Sequence, residues 1–229
     1  MELLNLNVLS TLCGIAAVTI VAFIRLHWPF RYQYVSVLFK RNPERVMRIL
    51  DASYRKNKSR SVAMLDKSTG EILAGNFELA ENFVAQGLTV CKEHPSLFNR
   101  ALIHYLFYNL AIAYFYQGKY DNALELAFRV YQRDRSFTNA LGVIICAHAR
   151  MGDLGNALEA YHHLPKKKAR MELQLFCMAE IEAASGNFDH AVNHLRKLMT
   201  LHYSVTMHLP MSELEKRLQE WTKASTRVG

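Results

Sequence analysis

Phe107–Ala127 reads FYNLAIAYFYQGKYDNALELA, Leu141–Tyr161 reads LGVIICAHARMGDLGNALEAY, and Leu175–Leu195 reads LFCMAEIEAASGNFDHAVNHL; the three align without gaps. Gly118, Gly152 and Gly186 recur every 34 residues, and so do Ala123, Ala157 and Ala191. Ahead of each glycine, apolar residues fall at helical spacing. In the first segment these are Phe107, Leu110, Ala111 and Tyr114, which share one face of a helix A. The glycine ends that helix, because a residue without Cβ takes the left-handed conformation with little strain. Asp121, Asp153 and Asp189 then stand near the start of a helix B, Asp153 two positions earlier in the register than the others. A carboxylate suits the positive end of a helix dipole. The small Ala123, Ala157 and Ala191 let helix B lie close on helix A, and Ala127, Tyr161 and Leu195 continue its buried face. One such pair cannot bury its own apolar face, so the period predicts pairs stacked around a shared core.

The pattern extends imperfectly on both sides. Upstream, Gly75–Leu88 reads GNFELAENFVAQGL, with Gly75 and Ala80 at the same spacing. Gly75 lies 43 residues before Gly118, nine more than the period, and the excess is expected in the connection around Cys91–Ser96. The helix A of this unit is predicted over Ser61–Leu73, interrupted by Gly70, with a further helix over Pro43–Tyr54. Downstream, Leu201–Leu209 reads as a loop and Pro210 opens a last helix. Ser212 and Glu215 have capping-box spacing. Leu214, Leu218 and Trp221 share a face, and a helix of this kind is expected to cap the last repeat. The resulting organisation is an anchor over 1–30, a basic helical segment over 31–60, repeats over 61–200 and a cap over 210–225. The repeat units are 61–95, 104–137, 138–171 and 172–205.

These residues resemble the tetratricopeptide repeat: the 34-residue period, the turn glycine and the alanine five positions later coincide in all three segments. The resemblance is to a widespread motif. The departures are Ile145 and His148 in the second unit and Glu182, at the usual tyrosine position, in the third. It implies an all-α fold, a right-handed α-α superhelix of helical hairpins whose concave face is lined by helices A. The inward positions it implies are Tyr105, Tyr108, Asn109, Ile112, Asn139, Gly142, Val143, Cys146, Phe176, Cys177 and Glu180. Chaperone-binding members carry a Lys, Arg and Asn clamp for a terminal carboxylate. Only Asn109 and Asn139 stand there here, which argues against that role and for a protein or peptide partner that is apolar or amphipathic.

Ahead of the repeats, Leu3–Ile24 contains 22 residues and no charge. At about 1.5 Å per residue such a helix spans roughly 30 Å, the thickness of a bilayer core. A single transmembrane helix is expected, with Trp28 and Phe30 at the interface. Glu2 replaces the basic n-region of a signal peptide, and no small-x-small cleavage site follows, so the anchor is expected to remain. Between Arg25 and Arg60 ten Lys or Arg residues face only Glu44 and Asp51. This collar places the N-terminus outside and the C-terminal domain in the cytoplasm, and it suits contact with anionic lipid. Ser10 and Gly14 form one small-xxx-small pair, a weak dimerisation signal.

The net charge of +8 and the pI near 9.4 therefore reside largely in this collar. No recognition helix or stacking sheet accompanies them, so no nucleic-acid partner is expected. The composition, 51% hydrophobic and 21% charged, is that of a folded chain. Cys13, Cys91, Cys146 and Cys177 form no metal-ligand spacing. His190 and His194 share a helical face, His162 and His163 are adjacent, and His202 and His208 fall in the loop. No third ligand is placed near them. With no phosphate loop, nucleophile elbow or HExxH motif, no cofactor, metal or catalytic residue is expected. The expected function is that of a membrane-anchored scaffold or adaptor. An organelle import or assembly receptor of similar layout is the first alternative, and a histidine-based metal protein or enzyme the second.

Overall fold

The computed structural model of the chain describes residues 2–27 and 43–228. Among the described residues the fold is all-α, with no strand. The helices are α1 (Glu2–His27), α2 (Pro43–Lys56), α3 (Ser61–Leu73), α4 (Phe77–Glu93), α5 (Leu97–Tyr116), α6 (Tyr120–Arg133), α7 (Thr138–Arg150), α8 (Leu154–Tyr161), α9 (His163–Lys166), α10 (Met171–Ala184), α11 (Phe188–Met199) and α12 (Met211–Val228). A 3-10 turn covers Tyr203–Val205.

Four hairpins run in series: α3 with α4, α5 with α6, α7 with α8, and α10 with α11. Each packs on the next through both of its helices. The four hairpin turns share one geometry. Gly75, Gly118, Gly152 and Gly186 have φ of 77–83°, and the residue after each glycine donates its amide to the carbonyl five positions back, as Lys119 does to Tyr114 at 2.9 Å. This is the Schellman closure that a left-handed residue permits. Nothing lies within 4 Å of a Cβ built on Gly118, so its cost would be conformational alone. Gly118→Ala is expected to destabilise the chain by about 1–2 kcal/mol, and Gly118→Asn by less, read from urea midpoints. Ala123, Ala157 and Ala191 are completely buried between paired helices. Asp153 is the N-cap of α8 and accepts from the Asn156 amide at 3.3 Å. Asp121 and Asp189 lie one residue inside α6 and α11, which accounts for the offset in register.

Three local readings change, and a proline sets one helix end. Gly70 does not interrupt α3, which is continuous; a Cβ there would meet Met47 Cε of α2 at 3.4 Å, an ordinary contact. The nine extra residues before Gly118 extend α4 to 17 residues and α5 to 20, leaving a short connection. The second helix B stops at Tyr161, four residues before Pro165, because a proline ring clashes with that carbonyl and offers no N–H. Ser212 is inside α12 and is therefore not its N-cap; its Oγ lies 3.2 Å from the Cβ position of Gly75.

Among the described residues no helix is long and apolar enough to cross a membrane. In α1 the side chains of residues 8–21 are described, and every one is exposed. Val8, Leu9, Leu12, Ile15, Val18, Ile20 and Val21 are each more than half exposed. Trp28, Phe30, Arg31, Lys40 and Arg41 of the expected interface and collar lie outside the described residues. Of the remaining collar, Arg45, Arg48, Arg55, Lys56, Lys58 and Arg60 are exposed, while α2 turns Val46, Leu50 and Ser53 inward.

Candidate functional site

The positions expected to line the binding face lie on α5, α7 and α10, and a single cover lies over much of that face: residues 203–225 of the same chain. Beyond α11 the chain crosses the A-helix face. The Asn139 amide on α7 donates to the Val205 carbonyl at 3.3 Å, and the Tyr116 hydroxyl on α5 donates to the Met207 carbonyl at 3.1 Å. The His208 ring meets Tyr108 edge-on at 5.5 Å. At Ser212 the chain reaches the first hairpin turn. Helix α12 then returns: Trp221 carries the Arg150 guanidinium 5.6 Å above its ring, and Ser225 donates to Asp189 of α11. Val205, Thr206, Met207, His208 and Leu209, in the expected loop, and Pro210 at the entry to the last helix are all buried. Helix α12 closes this face as well as packing on the last hairpin.

The polar centre of the site is Glu180, whose side chain is wholly inaccessible. Its Oε1 accepts from Arg217 Nε at 2.6 Å and its Oε2 from Arg150 Nε at 2.5 Å. Arg217 also pairs with Glu213 on its own helix. Its guanidinium lies between the rings of Phe115, Tyr116 and Phe176, at 6.0, 5.7 and 5.6 Å. Burial works against the charge on Glu180, but Arg217 and Arg150 outweigh it and hold the carboxyl below its ordinary range. Burial likewise opposes the charge on Arg217, and Glu180, Tyr116 and Glu213 together raise its pKa. The ion cluster therefore joins α7, α10 and α12 as charged partners.

The other expected positions divide into two groups. Tyr108, Ile112, Val143, Cys146, Phe176 and Cys177 are buried. Asn109 is spent on a neighbouring hairpin: its amide donates to the Ser68 and Thr69 hydroxyls of α3, both at 2.9 Å. Tyr105 is half-buried, stacked on His104 at 4.6 Å and edge-on to Phe137 at 5.9 Å. The Cys146 and Cys177 sulfurs lie 3.8 Å apart as free thiols. Gly142 permits close approach of two helices, since a Cβ there would fall 2.5 Å from Leu173 Cδ1 and 3.4 Å from Met207 Sδ. Gly142→Ala is expected to cost about 1–3 kcal/mol by overpacking, measurable by chemical denaturation. No group of three or more potential metal ligands is assembled among the described residues.

Burial pushes the His208 imidazole down to about 3, against about 6.5 in an unfolded chain. The docked segment thus holds His208 neutral, and the released segment binds a proton more readily. The stabilisation is complete above pH about 6.5 and is lost as pH falls toward 3, at about 1.4 kcal/mol per unit. Acidification from pH 7.5 to 5 is expected to weaken docking by roughly 2 kcal/mol, read as lower amide protection factors over residues 203–210 once the slower intrinsic exchange at acid pH is corrected for. His208→Asn should remove most of that dependence.

Arg150, Tyr116, Met207, His208, Arg217 and Trp221 were not among the expected site residues. One signal was present: Arg217 sits inside the apolar stripe Leu214, Leu218 and Trp221, where a charge requires a buried partner. Glu180 in LFCMAEIEAA carries the complementary signal. No family model and no curated protein matches the sequence.

Proposed function

We propose that the chain is a single-pass, membrane-anchored adaptor whose tetratricopeptide-type hairpins hold a partner protein or peptide on the cytoplasmic side. One observation carries the membrane part: an apolar helix whose described side chains, residues 8–21, are all exposed. Leaving one large apolar side chain in water forgoes about 1.5–3 kcal/mol. Seven such side chains on α1 make an aqueous surface unfavourable and a bilayer favourable, and the uncharged run Leu3–Ile24 supplies the length. The basic residues of α2 and the turn after it then meet anionic headgroups and set the orientation. Supporting the hairpin reading are the four equivalent glycine turns and the buried alanines.

Alkaline extraction and protease protection of the full-length protein test the anchor. Retention in the membrane pellet, with the C-terminal domain digested only from the cytoplasmic face, is expected. Release into the alkaline supernatant would defeat the reading. Crosslinking in intact membranes, followed by mass spectrometry, tests the adaptor role. Recovery of one stoichiometric protein partner is expected, and recovery of none would defeat it.

A further inference from the structure

Granting the adaptor reading, we propose that the A-helix face is the site for a partner segment carrying an arginine within an apolar stretch, and that residues 203–217 occupy it in cis as a displaceable stand-in. Four features of the covering segment favour replacement over permanent closure.

First, two of the contacts are made to its backbone. Asn139 and Tyr116 donate to the carbonyls of Val205 and Met207, and backbone carbonyls are available from a peptide of any sequence. Second, the face has one acidic reader. Glu180 is buried at its floor and takes the Nε of Arg217, while three aromatic rings surround the guanidinium. That arrangement is selective for arginine: the planar, weakly hydrated fork stacks on rings where an ammonium would not. Third, the segment is bound under strain. Met207 and His208 have φ of 49° and 47°, consecutive left-handed residues with a Cβ. Backbone of this kind persists only where its surroundings enforce it, and it concentrates at switching elements and ligand clamps. The imidazole of His208 is itself buried. Fourth, all four hairpins precede the segment in the chain, so its release leaves their connections intact.

The occupant is thus described by chemistry: an apolar stretch of several residues able to take the same tight turns, then a helical turn presenting arginine. A partner must compete with the cis segment, so its apparent affinity is reduced by the fraction of chains that are open.

The probe is a fluorescent synthetic peptide of residues 201–221, added to the full-length protein in mild detergent. Weak capture by the wild type is expected. Arg217→Ala, which loosens the cis segment, should capture the peptide at least tenfold more tightly, and adding Glu180→Gln should remove that gain. Equal or weaker capture by Arg217→Ala with its helical circular dichroism intact would overturn the proposal. Should Arg217→Ala not fold, hydrogen exchange on the wild type decides the matter. Amides of 203–210 exchanging at least tenfold faster than those of α7 and α10 are expected; a shared rate would mean one cooperative unit and no displaceable segment. Dimers formed by exchange of C-terminal segments, without peptide capture, would also overturn it. A crosslinked partner whose recovery is indifferent to Arg217→Ala sinks this inference and leaves the adaptor reading standing, whereas recovery of no partner by the wild type sinks the adaptor reading.

Discussion

Glu180→Ala is expected to lower the unfolding free energy by about 3–5 kcal/mol, the usual cost of removing one member of a buried ion pair. The carboxylate is wholly inaccessible and the Arg217 side chain is 6% exposed, so the arginine left behind has little water to turn to. Glu213 still neutralises it in part, and Arg150, a quarter exposed, can turn outward. The loss therefore falls mainly on Arg217 and on the docking of α12. Glu180→Gln keeps the volume and the acceptor oxygen but removes the charge, and its cost should be smaller. The sign of the pH dependence follows from the lowered carboxyl pKa. The contribution of Glu180 is complete above the unfolded carboxylate value and is lost as pH falls through the folded one. Denaturation midpoints by circular dichroism in detergent, at neutral and acid pH, measure both effects. An alanine variant as stable as the wild type would show that the pair is only electrostatically neutral packing.

Phe176→Ala is expected to cost about 3–5 kcal/mol as well, through a cavity that its surroundings cannot fill. The Phe176 side chain is completely buried on α10, and the Arg217 guanidinium lies 5.6 Å from its ring. Removing the ring takes away apolar contacts and one wall of the arginine pocket together. Phe176→Leu retains most of the volume and should cost considerably less. If Phe176 and Arg217 act as one unit, their combined alanine variant will lose less than the sum of the singles. Additive losses in that cycle would show that the ring serves the hairpin core alone.

The repeat was legible because each of its positions answers a local demand. A left-handed turn requires glycine, and Gly118, Gly152 and Gly186 announce it at fixed spacing. Close helix pairing requires a small residue, and Ala123, Ala157 and Ala191 meet that need. Even the weaker upstream unit, read from Gly75 and Ala80, closes with the same turn. The helix lengths of α4 and α5 were not legible, because extra residues can join either a loop or a helix and periodicity does not choose. Gly70 misled for a related reason: glycine in a helical pattern can mark a break or be carried inside a continuous helix, and the local pattern does not choose; here the helix is continuous.

The A-helix face was legible in part. The register placed Tyr108, Phe176 and Glu180 on helices A, and all three are buried, but it supplied no information about what would lie on them. That outcome depends on contacts between residues far apart in the chain, such as Tyr116 with Met207 and Glu180 with Arg217. No local preference encodes such pairings.

By itself, the sequence determined the all-α class, the hairpin period and the uncharged run at the start of the chain, since each follows from steric and hydrophobic rules acting over a few neighbouring residues. Only the tertiary structure decided that the C-terminal segment returns across the A-helix face and buries Arg217 against Glu180. The physical reason is that a charge within an apolar stripe demands a buried counter-ion somewhere, while its location is fixed by how the whole stack places α7 and α10.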